Sequence, residues 1–380
     1  MNLRPFARRI RRALSRRDPL ITVSISKEAI LHNLRAYQKA YPAQKVAPVL
    51  KSNAYGHGLV LVAELLDTED IAFLMVDSLY EARKLRRAGI RSPIVVMGYA
   101  RPEEIAGSTL RAVAFAAVDI EQLRELSGLA RRPISLHLKL DTGMHRQGIL
   151  PEDLEEAVSL IAANPNLTLA GVATHLGDAD NPDAAFSETQ LSAWDSCVSR
   201  LEASFPDIPY IHAAATKGAR FSAAHPMNVL RLGIGLYGFD TSPGNGEALR
   251  PALSLHSSIV SVRDIPPGDS VGYNATYTAS RPSRIATVPV GYYEGLDRGL
   301  SNRGSVLVDG TACPLAGRIS MNMCSVDITD APEAARGSTV TLISDNPEDP
   351  NSVSGIARRI DTTPYVILAH IPEHLCRTLS

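Results

Sequence analysis

The stretch that decides the fold reads Val46-Ala47-Pro48-Val49-Leu50-Lys51-Ser52-Asn53-Ala54-Tyr55-Gly56-His57-Gly58. Its first five residues are apolar and form a run of strand length, and a glycine-punctuated loop follows. Lys51 therefore stands at the carboxyl tip of a predicted buried strand, which is where an α/β barrel keeps its reactive groups. A lysine amine in such a place can be desolvated and used for imine chemistry. A lone lysine in a turn is more often a solvated surface residue, so this interpretation depends on the rest of the chain.

Short apolar runs alternate with helical patterns, such as Ser78–Ala88 and Glu121–Leu129, over the next part of the chain. Eight strands alternating with helices favour a (β/α)8 TIM-type barrel, although a doubly wound sheet would show a similar alternation. The eight predicted strands are Val46–Leu50, Ala72–Val76, Ile94–Met97, Val113–Val118, Ser135–Leu140, Leu169–Thr174, Tyr210–His212 and Val229–Gly233.

The pattern changes near Gly244-Asn245-Gly246, beyond which short β-rich runs are separated by Pro and Gly. This part predicts a mostly-β domain. Its predicted strands are Ser257–Val262, Arg284–Pro289, Ser305–Val308, Met323–Ile328 and Ser338–Ile343. The predicted division is a basic tail over 1–19, a barrel over 20–243 and a β domain over 244–380. A further half-buried strand is expected at Ile21–Ser26, where apolar and polar residues alternate.

Composition excludes several classes of function. A formal charge of −1 over 380 residues offers no general attraction to nucleic acid. The four cysteines are scattered without metal-ligand spacing, so no metal site is predicted and a reducing, cytoplasmic setting is expected. No apolar run approaches the roughly 20 residues that span a bilayer.

Arginines crowd the first 17 residues, with apolar residues three or four apart between them. Such a segment suits a basic amphipathic helix on an anionic membrane or an acidic partner. A solvated tail is the simpler interpretation, and membrane contact is not the expected role.

Two motifs carry a resemblance to a known family. Lys51–Gly58 resembles the cofactor-lysine motif of alanine racemases, the pyridoxal 5'-phosphate (PLP) enzymes of fold type III, with Ser52 where the family usually has Ala. Ser270–Tyr277 is similar to the family's second catalytic motif, which contains the tyrosine matched by Tyr273. A barrel followed by a β domain is also the family's architecture, so the resemblance covers nearly the whole chain after the first 20 residues.

The resemblance implies a two-base mechanism. The α-proton of a free amino acid is too weakly acidic to be removed directly, and PLP solves this by delocalising the charge that is left. Racemisation then requires a base on each face, and the resemblance assigns these roles to Lys51 and Tyr273. A free phenol has a pKa near 10, so a tyrosine base needs positive charge nearby. In the family this tyrosine comes from the partner subunit, which implies a homodimer with shared active sites.

Further matches lie at predicted strand ends. Arg231 would face the pyridine nitrogen of PLP, and because a guanidinium keeps its proton, that nitrogen should stay unprotonated and stray transamination should be limited. By resemblance, His175 links the tyrosine to this arginine and His212 supports the network. An isolated histidine is more often a satisfied core residue. The predicted phosphate ligands are Tyr55, Thr216, Gly233 and Ile234.

The substrate would be bound by a third group of matches. Arg146 would bind the carboxylate with its planar fork, and the backbone amide of Met321 would also touch it. Lys139 matches a lysine that is often carbamylated in relatives and orients that arginine. Tyr292 matches a tyrosine that lines the substrate entrance.

Three departures from the family pattern stand out. Asn322 replaces the usual Asp near the carboxylate site, and Ala215 replaces the usual Asn. Near the C-terminus, alignment of Tyr365–Arg377 either puts Glu373 in the place of a tyrosine that binds phosphate and narrows the entrance, or leaves that position unmatched. A carboxylate beside a phosphate would be repelled, so either the local alignment is shifted or the entrance is rebuilt.

The function implied by the resemblance is alanine racemase, an isomerase that supplies D-alanine for peptidoglycan. An alternative keeps the fold and mechanism but acts on serine or on several small amino acids. Decarboxylases of the same fold type would need a cysteine from the C-terminal domain, for which Cys313 and Cys324 are candidates without a supporting motif. A non-catalytic PLP-binding barrel protein is more distant, because such proteins lack the β domain.

Overall fold

The computed structural model describes residues 19–239 and 246–380. These residues form two compact units. The barrel unit takes the described residues of Ser26–Leu253 with Thr363–Glu373 and Ser380. The β unit takes those up to Ile25 with Ser254–Thr362 and His374–Leu379.

These units differ from the predicted ranges at both ends. Strand β1 (Thr22–Ile25) lies in the β unit because it pairs in parallel with the last strand of the chain, Cys376–Leu379. Thr363–Glu373 lies in the barrel unit. The predicted boundary between residues 243 and 244, and residues 1–18 of the predicted tail, are outside the described residues.

Parallel strands form the centre of the barrel unit. They are β2 Lys45–Pro48, β3 Leu74–Val76, β4 Ile94–Val96, β5 Val113–Ala117, β6 Ile134–Lys139, β7 Leu167–Ala173, β8 Tyr210–His212 and β9 Val229–Leu232. In the part of the chain that the structure describes, β3 to β8 make one sheet in sequence order, and β2 pairs with β9. Bridges between Val49 and Met75 and between Ala215 and Arg231 join the two sheets on both sides. The predicted barrel is therefore confirmed.

Helices follow the strands, and some of them begin at a residue whose side chain caps the first turn. The side chain of Ser26 accepts a hydrogen bond from the Ala29 amide, and that of Asp119 accepts one from the Gln122 amide. Apolar side chains such as Phe73 and Val229 fill the barrel interior. The helices of this part are α1 Lys27–Ala40, α2 Leu59–Leu66, α3 Leu79–Ala88, α4 Pro102–Ala106, α5 Ile120–Leu129, α6 Leu154–Ala163 and α7 Ala185–Ser204.

The β unit contains β1 and the further strands β10 Leu253–Ser258, β11 Ser261–Ile265, β12 Ser270–Val271, β13 Tyr277–Thr278, β14 Ser283–Val288, β15 Ser305–Val308, β16 Thr311–Pro314, β17 Cys324–Asp327, β18 Thr339–Ile343 and β19 Cys376–Leu379. A mixed sheet has the strand order β16-β15-β18-β10-β1-β19, and a smaller antiparallel sheet has the order β11-β14-β17. Helix α8 (Val353–Arg359) belongs to this unit, whereas α9 (Pro364–Ala369) returns to the barrel unit.

Nowhere in residues 19–239 or 246–380 does a helix combine the length and the apolar character needed to cross a membrane.

Candidate active site

A cavity of about 940 Å³ opens at the carboxyl ends of the barrel strands. Because these ends meet at one rim, residues that are far apart in sequence come together there. Nearly all of the residues predicted on the barrel to bind a ligand line this cavity. They are Lys51, Tyr55, Lys139, Arg146, His175, Thr216, Arg231, Gly233 and Ile234.

Lys51 is the third residue after β2 and leads into a left-handed turn. The φ angles from Ser52 to Tyr55 are 56°, 56°, 53° and 50°, a region that costs a non-glycine residue roughly 1–2 kcal/mol. Tertiary hydrogen bonds hold the turn: the Ser52 amide donates to Oε1 of Glu81 at 2.8 Å, and the Leu59 amide donates to Oδ1 of Asn53 at 2.9 Å. Backbone strain of this kind occurs where function requires a particular geometry.

Arg231 is 5% exposed and has only neutral hydrogen-bond partners among the described residues. Its guanidinium donates to the carbonyl oxygens of Thr174 and Ala213, at 2.8 and 2.7 Å. It also donates to Nδ1 of His212 at 3.0 Å and to Nδ1 of His175 at 3.1 Å. Burial lowers the pKa of Arg231 to about 10, so the group stays charged at neutral pH.

The contacts with Arg231 fix the tautomers of the neighbouring histidines. A guanidinium only donates, so Nδ1 of His175 and of His212 must be acceptors, and each ring carries its proton on Nε2. Nε2 of His212 lies 2.8 Å from Nδ1 of His137, so His137 accepts there and carries its own proton on Nε2. That Nε2 is buried and has no hydrogen-bond partner within the described residues.

All three rings are neutral at physiological pH. Burial and the Arg231 charge lower the pKa of His175 to about 3. The same two causes lower the pKa of His137 to about 3. Burial, followed by its neighbour His137, lowers the pKa of His212 well below the ordinary value. The result is a buried cation surrounded by uncharged imidazoles.

Sequence reasoning missed His137, because a lone histidine in an apolar strand is usually a core residue. The available signal was its position two residues before Lys139 on β6, which places both side chains on the inner face of the strand. Gly171 on β7 provides the space, since a Cβ there would lie 2.6 Å from Nδ1 of His137.

Lys139 is buried, and its amine donates to Oε1 of Gln147 at 3.1 Å. Burial and the charges of Arg146 and Arg231 lower the pKa of Lys139 to about 8. About a tenth of this amine is therefore uncharged at pH 7, far more than for an ordinary lysine, and an uncharged amine can act as a nucleophile. Arg146 is exposed in the same cavity, on a loop that Asp141 shapes by accepting the amides of Gly143 and His145.

A group of hydroxyls lines another part of the cavity. Thr216 Oγ1 accepts from the amides of Gly233 and Gly235, at 3.3 and 3.4 Å, which leaves its hydroxyl hydrogen for a ligand. A Cβ at position 233 would lie 3.0 Å from the hydroxyl oxygen of Tyr55, so glycine keeps that approach open. Burial and the Asp77 charge raise the pKa of Tyr55 to about 12, so its hydroxyl keeps its proton and can donate.

Glu373 and Tyr365, both from the C-terminal segment that departs from the family pattern, line different cavities. Glu373 forms an ion pair with Lys84 of α3 and lines a separate small cavity. Tyr365 of α9 lines the main cavity instead, and its ring centroid lies 6.0 Å from that of Tyr55. Sequence alignment did not assign this role to Tyr365.

The remaining predicted residues lie on exposed loops of the β unit. Tyr273 is 66% exposed. Tyr292 and Met321 lie on adjacent loops, because the Tyr292 amide donates to the carbonyl of Ser320 at 3.1 Å. Next to them, the side-chain amide of Asn322 donates to Oε1 of the buried Glu294 at 2.7 Å. An Asp at position 322 would instead place two carboxylates together, and they would repel each other.

Two family models match this chain. The model described as alanine racemase, N-terminal domain, matches residues 25–241, and the model described as alanine racemase, C-terminal domain, matches residues 252–379.

Individual proteins agree with these models. The chain is 37% identical to the alanine racemase of Sorangium cellulosum over 362 residues, which cover 91% of this chain and 95% of that protein. It is 37% identical to that of Xanthomonas axonopodis pv. citri over 354 residues, which cover 91% and 92% of the two chains. The crystal structure of Bacillus anthracis alanine racemase with bound L-Ala-P is similar, with a TM-score of 0.88, 30% identity and 95% of both chains covered. Alanine racemase from D-cycloserine-producing Streptomyces lavendulae has a TM-score of 0.85 and 29% identity, with 95% of this chain and 97% of that chain covered.

Proposed function

The chain belongs to the alanine racemase family and is an isomerase of alanine, and from this premise we propose that it acts through two opposed bases, Lys51 and Tyr273, with PLP as cofactor. The observation that carries the proposal is the placement of Lys51 and Arg231 in one cavity, where the hydrogen-bond partners of Arg231 within the described part of the chain are all neutral.

The residues of the cavity fit PLP. The hydroxyls of Tyr55 and Thr216 can donate to a phosphate, as can the amide of Ile234, and Gly233 keeps the approach to Tyr55 open. Lys51 supplies the amine that binds the PLP aldehyde. We therefore propose that these five residues hold the cofactor.

PLP, when bound, holds the amino group of the substrate and delocalises the charge that remains when the α-proton leaves. Lys51 Nζ would take or return a proton on one face of the α-carbon, and the phenol oxygen of Tyr273 would do so on the other. The two residues exchange roles when the reaction runs in reverse. Each turnover thus moves one proton off the substrate and one proton on.

Arg231 would face the pyridine nitrogen of PLP. Because its guanidinium keeps its proton and its partners are neutral acceptors, this arrangement offers the nitrogen no strong acid. The charge on Arg231 still stabilises electron density nearby. We expect racemisation to be favoured over transamination for this reason.

The substrate carboxylate would bind Arg146, with the Met321 amide as a second donor and Tyr292 at the entrance. The uncharged Lys139 amine can attack carbon dioxide, forming an N–C bond and releasing a proton. The resulting carbamate carries a negative charge that would orient Arg146. We propose this modification as the working state of Lys139.

A homodimer with shared sites would let the exposed Tyr273 of one chain serve the cavity of its partner. The proposed role in the cell is the supply of D-alanine for peptidoglycan in the cytoplasm. The four cysteines, all free of disulfide bonds, agree with a reducing compartment.

The alternatives differ in what they require. A decarboxylase of this fold type needs an accessible cysteine, but Cys313 and Cys324 are each 2% exposed, and burial raises the pKa of Cys324 to about 12. A non-catalytic PLP-binding protein leaves the β unit without a role. A racemase of serine or of several small amino acids remains the alternative closest to the proposal, because it needs the same residues.

The direct test is to purify the protein, record its visible absorbance for bound PLP, and assay alanine and serine in both directions. We expect a yellow protein that racemises alanine faster than serine. Comparable activity on serine would assign a broader substrate range. A protein that binds no added PLP would overturn the proposal.

A further inference from the structure

The carboxylate of Glu81 is buried and binds backbone amides from two separate loops. The side chain is 8% exposed. Oε2 accepts from the amides of Asp77 and Ser78, at 2.9 and 3.3 Å, and Oε1 accepts from the Ser52 amide at 2.8 Å.

Helix capping explains only half of this arrangement. Ser78 and Glu81 form a capping box at the start of α3, in which each side chain accepts the other's backbone amide. That motif uses Oε2 alone. The bond from Oε1 reaches a residue 29 positions earlier in the chain, in a different strand-end loop.

The amide that Oε1 binds belongs to the peptide that joins Lys51 to Ser52. This peptide begins the left-handed turn, where Ser52 has a φ of 56°. Asn53 holds the far end of the same turn through the Leu59 amide. Glu81 therefore fixes the near end, directly beside the lysine.

We infer that Glu81 is a positioning residue for Lys51: it ties the strained peptide after the lysine to the rigid start of α3 and so directs the amine into the cavity. The inference rests on the proposed role of Lys51 as a base. An amine that is misplaced by about 1 Å loses on the order of 100-fold in rate, which a single released tether can cause.

The chain offers a matched control in Gln122 on α5. It occupies the same position after its cap, Asp119, and is 3% exposed. Its Oε1 accepts from the Val118 amide at 2.8 Å, and its Nε2 donates to the carbonyl of Ala100 at 2.8 Å. Gln122 thus caps a barrel helix and binds backbone as Glu81 does, but none of these contacts involves the Lys51 turn.

The test compares Glu81→Gln with Gln122→Ala. Glutamine has one acceptor oxygen, so Glu81→Gln retains either the cap or the Ser52 contact but not both. The first measurement is hydrogen–deuterium exchange over residues 51–56 in the protein freed of cofactor, with melting temperature alongside. The second is kcat and KM for alanine.

We expect Glu81→Gln to speed amide exchange at Ser52 at least about tenfold and to lower kcat ~100-fold with KM within about threefold. Gln122→Ala should lower the melting temperature without changing either readout. The inference is overturned if Glu81→Gln keeps kcat and Ser52 exchange near wild type, or if both variants lower kcat in proportion to their melting temperatures. If Glu81→Gln does not fold, Glu81→Asp, which shortens the tether but keeps the charge, decides by the same readouts.

Lys51→Ala separates this inference from the proposed function. If Lys51 is not a base, Lys51→Ala keeps racemising and the proposed function fails. If Lys51→Ala is inactive while Glu81→Gln is unaffected, only the positioning role fails.

Discussion

Arg231 donates to Nδ1 of His212 at 3.0 Å, and this contact orders the protons of a buried network. Because the guanidinium cannot accept, His212 carries its proton on Nε2 and donates a hydrogen bond to Nδ1 of His137 at 2.8 Å. The arginine thus keeps its charge in a buried setting where, among the described residues, its hydrogen-bond partners are all neutral.

This network predicts a dependence of stability on pH. The folded pKa of His137, about 3, lies below the ordinary value near 6.5. Between these two values the unfolded chain binds a proton that the folded chain does not, so stability is complete above pH 6.5 and falls as the pH drops towards 3.

His137→Gln keeps an acceptor for His212 but removes this titration. From pH 7 to pH 5, the wild type should lose about 2 kcal/mol more unfolding free energy than the variant. Urea unfolding at the two pH values measures this difference. Parallel losses in the two proteins would contradict the assigned protonation of His137.

Lys139 is predicted to react with carbon dioxide. With its pKa near 8, about half of the amine is uncharged at pH 8, whereas an ordinary lysine is almost fully protonated there. Under 13C-labelled bicarbonate, wild type should show a protein-bound 13C NMR signal that Lys139→Ala lacks.

Lys139→Ala should also raise KM for alanine about tenfold, because Arg146 loses the group that orients it. Lys45→Ala, at the exposed start of β2, is the control and should match wild type. An unchanged signal and KM in Lys139→Ala would rule out the modification.

Tyr365 and Glu373 are predicted to differ in their effect on cofactor binding. Tyr365 lines the main cavity beside Tyr55, whereas Glu373 pairs with Lys84 at a separate one. Tyr365→Ala should weaken PLP binding about tenfold through lost contact area, and Glu373→Ala should leave it near wild type. Absorbance-monitored titration of the cofactor-free proteins with PLP measures both. Equal weakening would place the two side chains at one site.

Lys51→Ala and Tyr273→Phe are expected to complement each other in mixed dimers. If active sites are shared, a dimer of one chain of each kind has one site with both substitutions and one with neither. Mixed and reassociated variants should then recover up to roughly a quarter of wild-type activity, although each alone is inactive. No recovery, with mixed dimers verified by mass spectrometry, would mean that both bases come from one chain.

The strand-end residues could be predicted from sequence because one rule places them together. Lys51 and His175 each follow a predicted parallel strand, Arg231 lies in the carboxyl-terminal half of β9, and the carboxyl ends of these strands meet at one rim. The barrel strands themselves were predictable from their short apolar runs, since a buried parallel strand has no polar face.

Other features depend on contacts that sequence does not display. The left-handed turn from Ser52 to Tyr55 contradicts local propensity and is held by tertiary bonds such as that from Glu81. Strand β1 pairs with β19, more than 340 residues later, so its place in the β unit was not visible locally. His137 matters through His212 rather than through a ligand, so no motif marks it.

The most direct test of the two-base account is the fate of the α-hydrogen of alanine in deuterium oxide with Tyr273→Phe. Lys51 remains in this variant, so it should still exchange the α-hydrogen on its own face. We predict that one enantiomer of alanine gains deuterium with its configuration retained, while racemisation falls at least ~100-fold. Racemisation near the wild-type rate, or equal exchange of both enantiomers, would contradict the assignment of Tyr273 as the second base.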